Sequence, residues 1–463
     1  MMRGLLLPRA VKAGVTRDRS LSVNILVAEI AGLAVALGLG LWTMSLFVLW
    51  WAGVPIVVGT LLSGLGTAAA LVIGAVMLVR ARASAGLSVV GRSPATWGLV
   101  GLGGAAVVYT VVSAIVDALR SPNSAFDAWS FWAYKARLFE AGGPALAYFR
   151  DPLTLYTHPD YPLNLPLAEV ALSRVPVVGA ALTNLVGPLC LAALLLLWYA
   201  GLARLHGRAT ASLGVAILLL VPAVRQQAAS GDADVSLSLY AGAALLYLLS
   251  WRRLHCSLDL VVAALCAGAA IWTKKEGMIV ALVLIVTYLM FDTGVSGHRW
   301  ARVRHAVAFL AATLALPAPW LLFTFTVHPL GHDFLPVTPG VFLMHLDRLP
   351  TILSFFLLQM LAFANWSVLW LSLAALLVVS HRRLTADARI VAAIVMLHLL
   401  LYALVFVFSD WQPYIDHLRT SLDRLFVGVV PAAVLAVVEA TGSLSRPLRG
   451  RAPRPLSAPS AAS

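Results

Sequence analysis

Residues 24–50 read NILVAEIAGLAVALGLGLWTMSLFVLW, a run that at 1.5 Å per residue is long enough to cross a hydrocarbon core of roughly 30 Å as one helix. Comparable apolar runs recur at 54–79, 97–116, 177–203, 209–224, 235–251, 258–272, 278–291, 305–327, 351–380, 390–408 and 425–438. Hydrophobic residues make up 61% of the 463-residue chain and charged ones 11%, with a mean hydropathy of +0.90. That composition excludes a water-soluble domain. The expected fold is an all-α polytopic membrane protein of about twelve spanning helices, with juxtamembrane helices in a large first outer loop.

The formal charge of +13 is spread as short basic clusters between apolar runs, the pattern of topology signals, so nucleic acid is set aside as a partner. An even number of spans puts both termini on one side. Basic residues fall in every segment of that side, from Arg3, Arg9, Lys12, Arg17 and Arg19 at the start to Arg446, Arg449, Arg451 and Arg454 at the end. The positive-inside rule makes that side cytoplasmic. The chain then divides into a basic cytoplasmic arm (1–20), a helical membrane domain (21–440) with an outer loop at 117–175, and a Pro-, Ser-, Ala- and Arg-rich cytoplasmic tail expected to be disordered (441–463). Cys190, Cys256 and Cys266 show no disulfide framework and no zinc-ligand spacing.

With this topology the polar constellations all fall on the outer side. The loop sequence FDAWSFWAYKARLF reads as helical and places Asp127 among aromatic rings, followed by Lys135 and Arg137. A carboxylate partly desolvated there would have a raised pKa and could take a proton from a hydroxyl; equally it could cap the helix that follows. A Pro-rich ending, HPDYPLNLP, carries His158, Asp160 and Tyr161. Runs 209–224 and 258–272 reach only roughly 22 Å at 1.5 Å per residue against a core about 30 Å thick, so the turns RQQAASGDAD and TKKEG are expected to lie sunken below the outer surface. In the first, Asp232 and Asp234 suit either a helix N-terminus or a divalent metal ion bound together with a phosphate. In the second, Lys274 and Lys275, next to Glu276, would repel each other unless an anion lies near, and a phosphate is the natural one. Only four of the basic residues are lysines, and Lys135, Lys274 and Lys275 are three of them. HPLGHD, with His328, His332 and Asp333, reads as a polar loop or a metal-ligand spacing. Arg424 opens the last helix, where it can meet a phosphate or pair with Asp423 or Asp127.

The order of these motifs, FDAWSFWAYKAR, HPDYPLNLP, GDAD, WTKKEG and TSLDRLFVGVVP, resembles the type C membrane glycosyltransferases. More narrowly it is similar to the bacterial branch related to polyprenyl-phosphate-mannose:protein mannosyltransferases and aminoarabinose transferases, over residues 97–438. The resemblance implies an enzyme that moves a hexosyl or pentosyl group from a polyprenyl phosphate to a glycan, lipid or protein acceptor on the outer face of a bacterial plasma membrane, with inversion. It implies Asp127 as base or acceptor-orienting group, and Lys274, Lys275 and Arg424 as holders of the lipid phosphate, with Lys135 or Arg137 assisting. The chain departs from the family pattern where Ala128 follows Asp127 in place of a second acidic residue, and in having three helices before the loop. No large outer domain is expected after the last helix. No cofactor motif and no soluble-type phosphate loop occurs, so the one candidate cofactor is the divalent ion. Two rival classes are a transporter or flippase of a lipid-linked or anionic solute, and a scaffold in which these charges only anchor loops.

Overall fold

A computed structural model describes residues 23–84, 94–174, 182–290, 299–331 and 333–444. The expected arm (1–20), nearly all of the tail and His332 lie outside the described residues. The chain is an all-helical, multi-pass membrane protein; among the described residues strand pairing is confined to an isolated bridge, Phe334 with Ser409. Among the described residues seven helices are long and apolar enough to cross a membrane, or nine if each of two bent pairs is one span.

Three helices, α1 (Val23–Trp51), α2 (Ile56–Ser84) and α3 (Pro94–Arg120), precede the loop. The loop holds a π turn (Ala128–Trp132) leading into α4 (Ala133–Glu140), two 3-10 turns, and α5 (Asn164–Ser173). There follow α6 (Val186–His206), α7 (Arg208–Leu219), α8 (Pro222–Ser230), α9 (Asp234–Leu254), α10 (Ser257–Thr273), α11 (Gly277–Met290), α12 (Arg299–Ala315) and α13 (Ala318–Val327). The remainder is α14 (Pro339–Met344), α15 (Leu349–Met360), α16 (Phe363–Trp366), α17 (Leu369–Ser380), α18 (Ala386–Val407) and α19 (Tyr414–Leu444). The last helix thus runs four residues into the segment read as tail.

Three apolar runs are not single straight helices. The run read as 209–224 continues as helix to Ser230 but bends by 65° between α7 and α8, and 305–327 bends by 67° between α12 and α13. Proline explains both: Pro222 and Pro317 stand at the breaks, where each lacks the N–H that would continue the ladder. The run 351–380 divides into α15, α16 and α17, with Ser367 at positive φ between the last two. Its hydroxyl donates to Leu220 O (2.6 Å), a carbonyl at the α7–α8 bend, so the two breaks satisfy each other where no water would.

Burial sorts the helices. On α2, Val57, Val58, Leu61, Leu62 and Leu65 are all exposed from the protein, the surface a lipid-facing helix presents. The α9 helix is the opposite case, buried from Asp234 through Trp251. It packs on α19, whose Pro431 lies inside a continuous helix. Pro431 cannot donate to Val427 O, four residues back; the Ser238 hydroxyl of α9 lies 2.8 Å from that oxygen and takes the missing donor's place.

At the far end of α9 from Asp234 lies a buried ion network. Arg82 meets Glu29 (2.7 Å) and Asp259 (2.6 Å), Arg204 lies 3.4 and 3.5 Å from the same two carboxylates, and Tyr247 and Ser250 donate to them. Beside it Arg252 and Arg253 share Asp387, and Arg253 also reaches Glu439. The buried Arg82 and Arg204 and the half-buried Arg252 and Arg253 thus tie α1, α2, α6, α9, α10, α18 and α19 together at one end.

Loss of the Ser238 hydroxyl should expose the Val427 carbonyl as a buried orphan. Ser238→Ala is expected to destabilise the detergent-solubilised protein by about 1 kcal/mol, and much less in a Pro431→Ala background, where residue 431 regains its N–H. Thermal unfolding of the four members of that double-mutant cycle measures the coupling.

Candidate functional site

The near end of α9 gathers the charges of the 117–175 loop, the two turns and the last helix. Asp127 stands at the N-cap position of the π turn but its side chain caps nothing. It pairs instead with Arg424 of α19, Oδ2 to Nη1 at 2.5 Å. The same Nη1 lies 3.7 Å from Asp232 Oδ2. Asp232 belongs to the turn between α8 and α9, which can approach the loop because Gly231 precedes it: φ there is +87°, and a Cβ would lie 2.5 Å from Asn123 Oδ1. Asp234, the first residue of α9, pairs with Lys274 (2.7 Å), which also meets Glu276 (3.2 Å). The TKKEG turn closes tightly enough that a Cβ on Gly277 would collide with the Ala270 carbonyl of α10.

The HPDYP element is bolted to the same cluster. Lys135 of α4, 1% exposed, donates to His158 O at 2.5 Å. His158 adopts left-handed backbone, with φ +49°, and its Nδ1 lies 3.2 Å from Asp333 Oδ2. Asp160 pairs with Lys275, whose ammonium also sits 4.6 Å from the centre of the Tyr161 ring. Asp127, Lys135, His158, Asp160, Tyr161, Asp232, Asp234, Lys274, Lys275, Glu276 and Arg424 therefore form one continuous constellation, joined by Asp333.

The electrostatics correct one premise of the sequence reading. The paired lysines do need an anion, but the chain supplies it: Asp234 and Glu276 hold Lys274, and Asp160 holds Lys275. Burial alone would depress the Lys274 ammonium, yet the two carboxylates outweigh it and raise its pKa. Lys135 shows the opposite balance: burial dominates, and its pKa is lowered to about 7 despite Asp160. Carboxylates outnumber cations here, and the proton settles on the one with least compensation. Asp232 is 1% exposed, neither of its oxygens accepts a hydrogen bond, and burial, with Asp234 and Asp127 close, pushes its pKa to about 7 against the pull of Arg424. It caps no helix. A divalent ion on Asp232 and Asp234 gains no support, because no cluster of three or more metal-ligating side chains exists among the described residues and one Asp234 oxygen is committed to Lys274. His328 closes α13 in left-handed backbone, and Asp333 of the same loop serves His158.

Arg137 is not part of this cluster. Two residues beyond Lys135, it lies roughly 200° around the helix, on the face of α4 that lines a separate cavity of about 640 Å³ with Glu140, Glu169, Arg174 and Asn184. The sequence reading passed over Glu169, although a lone carboxyl inside NLPLAEVALS is the kind of interruption that marks a polar neighbour. No protein-family model, curated protein or solved structure matches the chain, and the site is interpreted from its geometry.

The raised Asp232 carboxyl has a pH signature. Because folding favours its protonated form, its contribution to stability is fully present below about pH 4 and is lost as pH rises through about 7. Asp232→Asn should flatten that part of the profile and be the more stable protein above pH 7. Melting temperatures of both proteins between pH 4 and 8 test this.

Proposed function

We propose that this chain is a glycosyltransferase that takes a sugar from a polyprenyl phosphate and passes it to an acceptor hydroxyl, with inversion. The observation that carries the reading is Arg424 held between Asp127 and Asp232, two residues before the Asp234 that pairs with Lys274, with Lys275 next along the chain on Asp160: a carboxylate and several cations converge from five distant segments at one end of a helical bundle. The acceptor oxygen attacks the anomeric carbon as the bond from that carbon to the phosphate oxygen breaks. The acceptor's proton passes to Asp127, whose side chain is 19% exposed and so reachable. The leaving phosphate gains charge as it departs and is met by Lys275 and Arg424, 25% and 18% exposed. Lys275 exchanges Asp160 for that phosphate, and the buried Asp232 and Asp234 keep Arg424 and Lys274 aimed at it.

Topology supports the same reading. Counting the seven long helices, the two bent pairs and the three shorter apolar helices α10, α11 and α17 once each gives twelve crossings. Both termini then share the side rich in arginine, which is cytoplasmic by the positive-inside rule, and the Asp127 cluster opens outward from a bacterial plasma membrane. The lipid of the donor stays in the bilayer while its head enters the cluster.

A second reading, a transporter of a lipid-linked or anionic solute, draws on one observation: the broken α7–α8 pair leads straight into Asp232, as discontinuous helices do at transport sites. The charges gather at one end of α9 and not at its middle, which favours transfer chemistry.

Membranes containing the Asp127→Asn protein should lose transfer from a radiolabelled polyprenyl-phosphate sugar by about 10²- to 10⁴-fold, and Lys275→Met by about 10²- to 10³-fold. The labelled lipid should still bind the Asp127→Asn protein. Unchanged sugar transfer in both variants, or flux of the intact lipid across proteoliposomes without transfer, overturns the assignment.

A further inference from the structure

The second cavity lies on the other side of α4 from the ion cluster, and nothing in the transfer step so far uses it. Its wall includes Glu169, which is 4% exposed and makes no hydrogen bond or ion pair among the described residues. A buried carboxyl without a partner is costly unless something else satisfies it, and here the open side is the cavity. Burial and the neighbouring Glu140 carboxylate push its pKa well up, against Arg137, so it can donate as well as accept.

The other lining groups fit the same chemistry. Arg137 and Arg174 offer planar arrays of donors, Asn184 offers a donor and an acceptor, and Glu140 offers acceptors. Arg174 is already steadied by donating to Glu140 O at 3.0 Å. The indole of Trp129, 53% exposed, gives one flat apolar face at the rim. Interleaved donors and acceptors with a single ring suit a ligand that is dense in hydroxyls and apolar on one face. They do not suit a phosphate, which would meet Glu140 as well as the arginines. The volume, about 640 Å³, is in the range of small-molecule sites.

Position links this cavity to the cluster. Asn123 lines it and touches Gly231, next to Asp232; Trp129 lines it two residues from Asp127. We propose that the cavity bounded by α4 and α5 is a carbohydrate subsite in which Glu169 and Arg137 hydrogen-bond the hydroxyls of a neutral glycan. Its role as the seat of the acceptor rests on the transferase reading, whereas the binding itself does not. The acceptor is then a saccharide rather than a bare lipid or a polypeptide.

The full-length protein in detergent, applied to a printed array of neutral and acidic oligosaccharides, tests this. Wild type should retain at least one neutral oligosaccharide, and Glu169→Ala and Arg137→Ala should each weaken that binding at least 10-fold, with Glu169→Gln retaining part of it. Arg137 is exposed, so its variant reports binding even if Glu169→Ala folds poorly. No neutral glycan retained by wild type, binding indifferent to Arg137→Ala and Glu169→Gln, or displacement of the glycan by inorganic phosphate would overturn the subsite. Glycan binding without any sugar transfer would leave the subsite standing and remove only its role as the acceptor's place.

Discussion

A charge withdrawn from water in this protein survives only against an opposite charge, and that requirement organises both ends of the bundle. Lys274, with a side chain 5% exposed, lies against Asp234, 2% exposed. Removing one partner of such a pair costs about 3–5 kcal/mol, because the other is left buried and unpaired. The pairs therefore fix which helices meet: α9 and the α10–α11 turn through Asp234 and Lys274, the 117–175 loop and α19 through Asp127 and Arg424. At the opposite end Arg82 and Arg204 do the same among Glu29 and Asp259. Between the two layers α9 runs for 21 residues, with Asp234 at one end, Arg252 and Arg253 at the other, and every residue from Asp234 through Trp251 buried, which at 1.5 Å per residue is about 30 Å.

This arrangement also accounts for how a cluster so rich in ions can still act. The Lys274–Asp234 pair is buried and mutually compensated, and exposure rises toward Asp127, Lys275 and Arg424. The inner pairs hold geometry, while in the proposed transfer the more exposed ones exchange partners with an incoming phosphate or hydroxyl. Carboxylates exceed cations, and Asp232 takes up the imbalance as a proton near neutral pH. The α4 helix adds a second division. Lys135 faces the ions and Arg137 faces the neighbouring cavity, so one short helix separates the ion cluster from a place of mixed donors and acceptors.

Much of this was legible in the chain. Apolar runs and arginine clusters specified a helical multi-pass protein, and the polar interruptions marked Asp127, Asp232, Asp234, Lys274, Lys275 and Arg424 as groups needing partners, because an isolated charge beside a bilayer is too costly to be incidental. The prolines at 222 and 317 were visible, but the size and direction of the bends they permit depend on what packs against them.

What the sequence by itself determined was periodicity, span length and the list of charges in want of compensation, since these follow from the solvent and from local geometry. Which partner each charge takes was decided only by the tertiary structure. The lysine pair was read as awaiting a phosphate because no local residue other than Glu276 could neutralise it; Asp234 and Asp160, 40 and 115 residues away, answer it once the bundle closes. Likewise Glu169 and Arg137 became walls of one cavity through the placing of α4 beside α5. Coulomb attraction acts through space and desolvation depends on the whole surrounding shell, and neither is a property of neighbours along the chain.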